Sequence, residues 1–310
     1  MRQIGRYRVD RVLGSGAFAT VWKGHDPGLD AVVAIKVLAD NWSVDADVRE
    51  RFTTEARLLR RIESPRVVRV HDVGVHPAVD GGYPDRPYFV MDYIEGGTLA
   101  DWVGRLPPEG AVRLAREAAH AVQVLHDFGV VHRDLKPSNL LVDRRAAPPR
   151  VVVADLGSAK MLADASGFTV TTGTPAYMAP EQAGQVTGFD GRADVYALGV
   201  ISYELLSGRR PLAGLDRVPV AAGRSGARPA PLAAEIGVPP ELDAVIASAL
   251  DRDPERRPPD PRTFGDALDA ALRGSPYAAV RASQGWPAGV VALVAVVLLA
   301  LGIAVGWLVR

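Results

Sequence analysis

The chain has 310 residues, 48% of them hydrophobic, enough to bury a sizeable core in one large domain or in two lobes. Its 36 basic residues balance 36 acidic ones and no run of like charge breaks the balance, which argues against a nucleic-acid-binding surface. Cysteine is absent, so disulfides and thiolate metal sites are excluded.

The opening MRQIGRYRVD is charged and has no apolar core, unlike a secretory signal. Residues 7–40 alternate apolar and polar side chains around a glycine-rich turn and read as strands and hairpins. In that turn, LGSGAFATVWKG, Gly14 and Gly16 let the backbone come close to a phosphate chain, to which the turn's amides can donate. An ordinary hairpin turn with two glycines is the alternative. In the following AVVAIKVLA, Ala34, Lys36 and Leu38 share one face by the two-residue period of a strand.

Residues 43–64 read as a helix with Ser43 as its N-cap. On a wheel of about 100° per residue, Val48, Phe52, Leu59 and Ile62 fall within about 80° of one another, and Glu55 lies in the middle of that stripe. Lys36 and Glu55 are opposite charges on apolar faces, so one ion pair is expected; the alternative is that each snorkels to solvent. Only four lysines occur, Lys23, Lys36, Lys136 and Lys160, which makes each a specific choice against a background of arginine.

Residues 66–75 and 87–94 read as strands separated by the turn-rich HPAVDGGYPDRP. From Pro108 the pattern becomes helical, with Ala111, Leu114, Ala118, Ala121 or Val122, and Leu125 at spacings of three and four. A strand-rich first third and a helix-rich remainder imply two lobes joined near 92–97, DYIEGG. Residues 130–142, VVHRDLKPSNLLV, place His132, Arg133, Asp134, Lys136 and Asn139 between two apolar runs that would otherwise make one buried strand pair. Burying a lone charge is costly, so a chain that gathers several there is using them.

Taken in order, LGSG, VAIK (33–36), HRDLKPSN (132–139), DLG (155–157), APE (179–181), DVYALG (194–199) and RRP (256–258) resemble the landmarks of the eukaryotic-type protein kinases. The resemblance covers essentially 7–272 and is similar in kind to the Hanks-type Ser/Thr kinases of bacteria, actinobacterial members among them. It implies an α+β, bilobal fold: an N-lobe at 7–91 with an antiparallel sheet and one helix, a hinge at 92–97, and a mainly helical C-lobe at 98–272. It also implies transfer of the γ-phosphoryl group of ATP, with Mg²⁺ or Mn²⁺, to Ser or Thr hydroxyls of protein substrates.

The same resemblance assigns roles. Asp134 would accept the substrate hydroxyl proton, and Lys136 would neutralise the phosphoryl group in flight. Lys36, fixed by Glu55, would hold the α- and β-phosphates, while Asn139 and Asp155 would ligate the metal. Leu13, Gly14, Ser15 and Gly16 would cover the nucleotide. Its adenine would lie between Val21 and Ala34 on one side and Leu141 on the other, with Met91 as gatekeeper and the backbone from Asp92 to Ile94 as hinge. Arg133 would receive a phosphothreonine, and GFTVTTGTPAY offers Thr169, Thr171 and Thr172 as candidate phosphosites; Thr174 resembles a structural threonine. His132, Asp194 and the pair Glu181–Arg257 would be structural supports. Two departures stand out, Ala19 for the third loop glycine and Leu156 for the aromatic residue of D-F-G. A pseudokinase scaffold at the membrane is the alternative function. A small-molecule phosphotransferase would share the Asp…Asn…Asp core but would need neither APE nor a threonine-bearing segment.

The tail has a different character. Residues 274–287 read as a linker, and Ala288 to Val309, AGVVALVAVVLLALGIAVGWLV, carries no charge. That run makes about 33 Å of helix against a hydrocarbon core of about 30 Å. Trp286 and Trp307 bracket it and Pro287 suits a helix start, so a single-pass span at the cell membrane is expected, with the kinase domain cytoplasmic. Gly302 and Gly306 share one face of the span and make a homodimer an option.

Overall fold

The computed structural model describes residues 3–77, 85–156, 175–183, 190–211 and 229–275. Thr169, Thr171, Thr172, Thr174, Gly157, most of the linker and the whole of 288–309 therefore lie outside the described residues. Among the described residues, no helix is long and apolar enough to cross a membrane.

Six antiparallel strands build the first lobe: β1 (Gln3–Ile4), β2 (Tyr7–Ser15), β3 (Ala19–Asp26), β4 (Ala31–Leu38), β5 (Val70–His76) and β6 (Arg86–Asp92). Their order in the sheet is β1-β2-β3-β4-β6-β5. Strand β4 lies in the middle and is buried on both faces, so its period-two alternation sorts side chains between two cores. Val33, Ile35 and Val37 pack with Ile4, Tyr7, Tyr88 and Val90. Ala34 and Leu38 join the larger cluster on the other face. Register puts Val21 opposite Lys36, Lys36 opposite Phe89, and Ala34 opposite Met91, so these residues share that second face.

Helix α1 (Ala46–Arg61) covers it, burying Val48, Phe52, Glu55, Ala56 and Leu59. The expected start at Ser43 is corrected. Asp45 is the N-cap, accepting from the N–H groups of Asp47 and Val48 at 3.0 Å each. Ser43 is buried and donates its hydroxyl to the Asp40 carbonyl at 2.6 Å, which closes the 3₁₀ turn Asp40–Trp42. That turn uses up the serine, and the next side chain able to cap takes the role. The strand expected at 66–75 likewise begins only at Val70. Residues 66–68 bond instead to the second lobe: Val68 N–H donates to the Val153 carbonyl and Val153 N–H to the Arg66 carbonyl, both at 2.9 Å.

The second lobe is built on helices α2 (Pro108–Asp127), α3 (Pro180–Ala183), α4 (Arg192–Ser207), α5 (Ala233–Ile236), α6 (Pro240–Ala249) and α7 (Pro261–Leu272). Helix α4 buries nearly every side chain from Ala193 to Leu206, and its packing against α2, α6 and α7 makes it the axis of the lobe. A hairpin of β7 (Leu140–Asp143) and β8 (Arg150–Val153) lies against α2. Residues 130–131 form no strand, and β7 finds its partner in β8. At the hinge, Gly96 and Gly97 have φ of 148° and 75°, and the Val142 carbonyl lies against Gly96 where a side chain would otherwise stand.

Candidate active site

Strand, helix and loop deliver their charges to one cleft between the lobes. The Lys36 ammonium lies 2.7 Å from Glu55 Oε1 and 3.3 Å from Asp155 Oδ1. The pair expected from two periodicities is thus formed, and Asp155 is added to it. Burial by itself would lower the Lys36 pKa, but the carboxylates of Asp155 and Glu55 outweigh it and hold the ammonium above its ordinary value. Glu55 is pushed up, chiefly by burial, with Lys36 pulling against it and Asp155 adding like-charge repulsion.

Below them runs the loop 132–139. Lys136 Nζ lies 3.3 Å from Asp134 Oδ2. Asn139 Nδ2 donates to the Asp134 carbonyl at 2.9 Å, which fixes the amide, and its oxygen accepts from the Ser138 hydroxyl at 3.5 Å with acceptor capacity left for a ligand. The loop backbone is hung from α4. The buried Asp194 carboxylate accepts from His132 N–H at 2.8 Å and from Arg133 N–H at 2.9 Å, and Arg133 is held at φ 68°. His126 Nε2 lies 2.8 Å from the same carboxylate. His132 is buried, and its Nδ1 accepts from Asp134 N–H at 3.3 Å. Farther down, Arg257 makes a bidentate pair with Glu181 at 2.7 and 2.8 Å, the buried support expected there.

A cavity of about 310 Å³ is lined by Gly14, Ser15, Gly16, Val21, Lys36, Glu55, Asp134, Lys136, Asn139 and Asp155 among others. Leu13, Ala34, Met91 and Leu141 do not line it: Ala34 and Met91 are buried neighbours on β4 and β6, Leu141 is half-buried on β7, and Leu13 is exposed. Asp92 and Ile94 line a second cavity, of about 550 Å³, and the Asp92 carboxylate is turned to His71 and the Arg69 N–H.

The cleft suits a nucleotide and a hard cation. No described atom lies within 4 Å of where a Cβ would stand on Gly14, so the protein's own packing does not demand that glycine. The space a side chain would fill is open to phosphate. Among the described residues no group of three or more His, Cys, Asp or Glu could hold a metal by itself. One carboxylate, Asp155, and one amide oxygen, on Asn139, fit Mg²⁺, which takes few protein ligands and completes its shell with water and phosphates.

Two features lay beyond the sequence reading. His126 lies in the last turn of α2 with no local pattern to mark it, because its partner is 68 residues away. Trp42 stacks on Phe18, and only its place between the strand of Lys36 and the helix of Glu55 could have drawn notice.

Comparison with known proteins agrees with this geometry. The protein kinase domain family matches residues 7–264. The serine/threonine-protein kinase PknJ of Mycobacterium tuberculosis is 38% identical over 290 residues, covering 90% of this chain and 46% of that protein. PknL of the same organism is 37% identical over 271 residues, covering 86% of this chain and 65% of that one. The chain therefore spans less than two thirds of either relative. A crystal structure of the M. tuberculosis PknI kinase domain superposes with a TM-score of 0.66 at 28% identity, over 88% of this chain and 98% of that one. Matched along most of its length and carrying the cleft that the match leads one to expect, the chain belongs to the protein kinase domain family, with bacterial Ser/Thr kinases as its relatives.

Proposed function

We propose that this chain transfers the γ-phosphoryl group of ATP to Ser and Thr hydroxyls of proteins, and that a C-terminal span anchors it in the cell membrane with its catalytic lobes in the cytoplasm. The observation that carries the catalytic reading is the buried Lys36 ammonium held between Glu55 and Asp155, in one cavity with Asp134 and Asn139. The uncharged run 288–309 carries the anchor.

In this reading Lys36 grips the α- and β-phosphates, and Glu55 keeps its ammonium from swinging away. Asp134 accepts the hydrogen bond of the substrate hydroxyl and aims its oxygen along the line of attack. A new O–P bond forms as the bond from the γ-phosphorus to the β-phosphate oxygen breaks. ADP leaves with that electron pair, and the hydroxyl proton passes to Asp134. Lys136, beside Asp134, meets the negative charge on the moving phosphoryl oxygens. Asn139 and Asp155 would hold a divalent ion, which would supply neutralisation of phosphate charge. The left-handed conformation of Arg133 and the grip of Asp194 on two successive amides keep this loop in one shape before substrate arrives.

The test is direct. The purified full chain, given Mg·ATP and a generic protein acceptor, yields phosphoserine or phosphothreonine, and chelation of the metal abolishes it. Nucleotide binding without transfer would instead support the scaffold.

A further inference from the structure

The tip of the glycine-rich turn is tied to a residue outside it. Trp42, the last residue of the turn Asp40–Trp42, donates its indole N–H to the Ala17 carbonyl at 3.0 Å. Its ring stacks on Phe18 with centroids 4.8 Å apart and planes at 30°. Ala39 N–H adds a bond to the Phe18 carbonyl at 2.9 Å. Three contacts thus bind residues 17 and 18 to the segment that leaves the strand of Lys36 and enters the helix of Glu55. Within the turn, Gly16 N–H is already committed to the Ala19 carbonyl at 2.9 Å.

A trans peptide is planar, with its C=O and N–H pointing to opposite sides. Holding the Ala17 carbonyl towards Trp42 therefore turns the Phe18 N–H away from it. Ala17 and Phe18 line the cleft cavity and Trp42 does not. The stack also draws the Phe18 ring onto the indole. We infer that Trp42 is a positioning residue for phosphoryl transfer: it latches the tip of the turn so that the Phe18 amide is presented to the terminal phosphates of the bound nucleotide. This rests on the nucleotide reading of the cleft and deepens it. It also couples the turn to β4 and α1, so a shift of Lys36 or Glu55 moves the phosphate cover with it.

The test compares the full-length wild type with Trp42→Phe, which keeps an aromatic ring and loses the N–H, and with Trp42→Ala, which loses both. Affinity for Mg·ATP and for adenosine is read by competition against a fluorescent ATP analogue. Losing one hydrogen bond weakens Mg·ATP binding about threefold to tenfold in Trp42→Phe and leaves adenosine unchanged. Trp42→Ala weakens Mg·ATP further, and if it fails to fold Trp42→Phe alone decides. A general packing role would move both ligands together, and that result, or no change in either, would overturn the latch. Wild-type preference for Mg·ATP over adenosine tests the nucleotide site itself. Its absence would overturn both readings, whereas a preference that Trp42→Phe leaves intact would overturn the latch alone.

Discussion

Lys36 and Glu55, 19 residues apart, meet at 2.7 Å with both side chains withdrawn from solvent. A strand supplies one charge and a helix the other, so the distance between them reports how α1 sits against the sheet. Breaking such a pair by removing one partner costs more than its net contribution, because the survivor stays buried.

Lys36→Met leaves Glu55 without its cation. Burial already raises the Glu55 pKa, so its carboxyl takes up a proton and the domain stays folded. Phosphoryl transfer falls on the order of 10²-fold or more with the loss of a preorganised charge. Asp155→Asn falls further, since it takes the negative charge from a metal ligand as well. Labelling of a protein acceptor at the wild-type rate by either variant would show the assigned roles to be wrong.

Asp194→Ala strands the N–H groups of His132 and Arg133, each now satisfied by its carboxylate. An unsatisfied buried donor costs about 1–3 kcal/mol, which appears as a lower urea midpoint. The value of kcat falls while KM for ATP changes little, because the glycine-rich turn and Lys36 belong to the other lobe. Asp194→Asn keeps one acceptor oxygen and lies between. A larger effect on KM than on kcat would refute this division of labour.

Asp143 sets a pH signature. Burial works to raise its carboxyl, but Arg150 at 2.8 Å and the Arg145 N–H at 3.0 Å prevail and hold it below its ordinary value of 3.8. The unfolded chain then binds the proton more readily than the folded one, so this stabilisation is complete above the ordinary value and is lost as pH falls through the folded value. Asp143→Asn lowers the thermal midpoint at neutral pH, and the gap from wild type closes in acid. A gap that is constant down to about pH 2 would remove the linkage.

A phosphothreonine dock at Arg133 predicts self-phosphorylation in the segment before Pro175. Incubated with ATP, the purified chain gains phosphate among Thr169, Thr171 and Thr172, and the triple alanine variant is slower towards a protein acceptor. Mass spectrometry finding those threonines bare in an active preparation would eliminate Arg133 as a phosphothreonine dock.

The proposed anchor can be tested apart from catalysis. A chain ending at Gly274 is recovered in the soluble fraction and still phosphorylates an added acceptor, at a self-phosphorylation rate per molecule that rises with enzyme concentration. The full chain is recovered in membranes. Gly302→Leu with Gly306→Leu lowers crosslinked dimer without releasing it. Soluble full-length chain would discount the anchor, and unchanged crosslinking the glycine face.

Periodicity determined a good deal without tertiary structure. The two-residue alternation of β4 and the stripe of α1 each left one charge on an apolar face, and the two satisfied each other as such charges must in a low-dielectric core. The catalytic loop was legible because three of the groups lie within eight residues of one another, so Asp134, Lys136 and Asn139 arrive already close together. Only the packed chain decided which side chain caps α1, since Ser43 was drawn into the turn before it and Asp45 took its place. Packing alone joined Arg66 to Glu117 across the lobes, His126 to Asp194 between two helices, and Trp42 to the tip of the turn. Local preferences reach a few residues along the backbone, whereas these partners are chosen by helix crossings and strand order, which depend on the whole core closing at once.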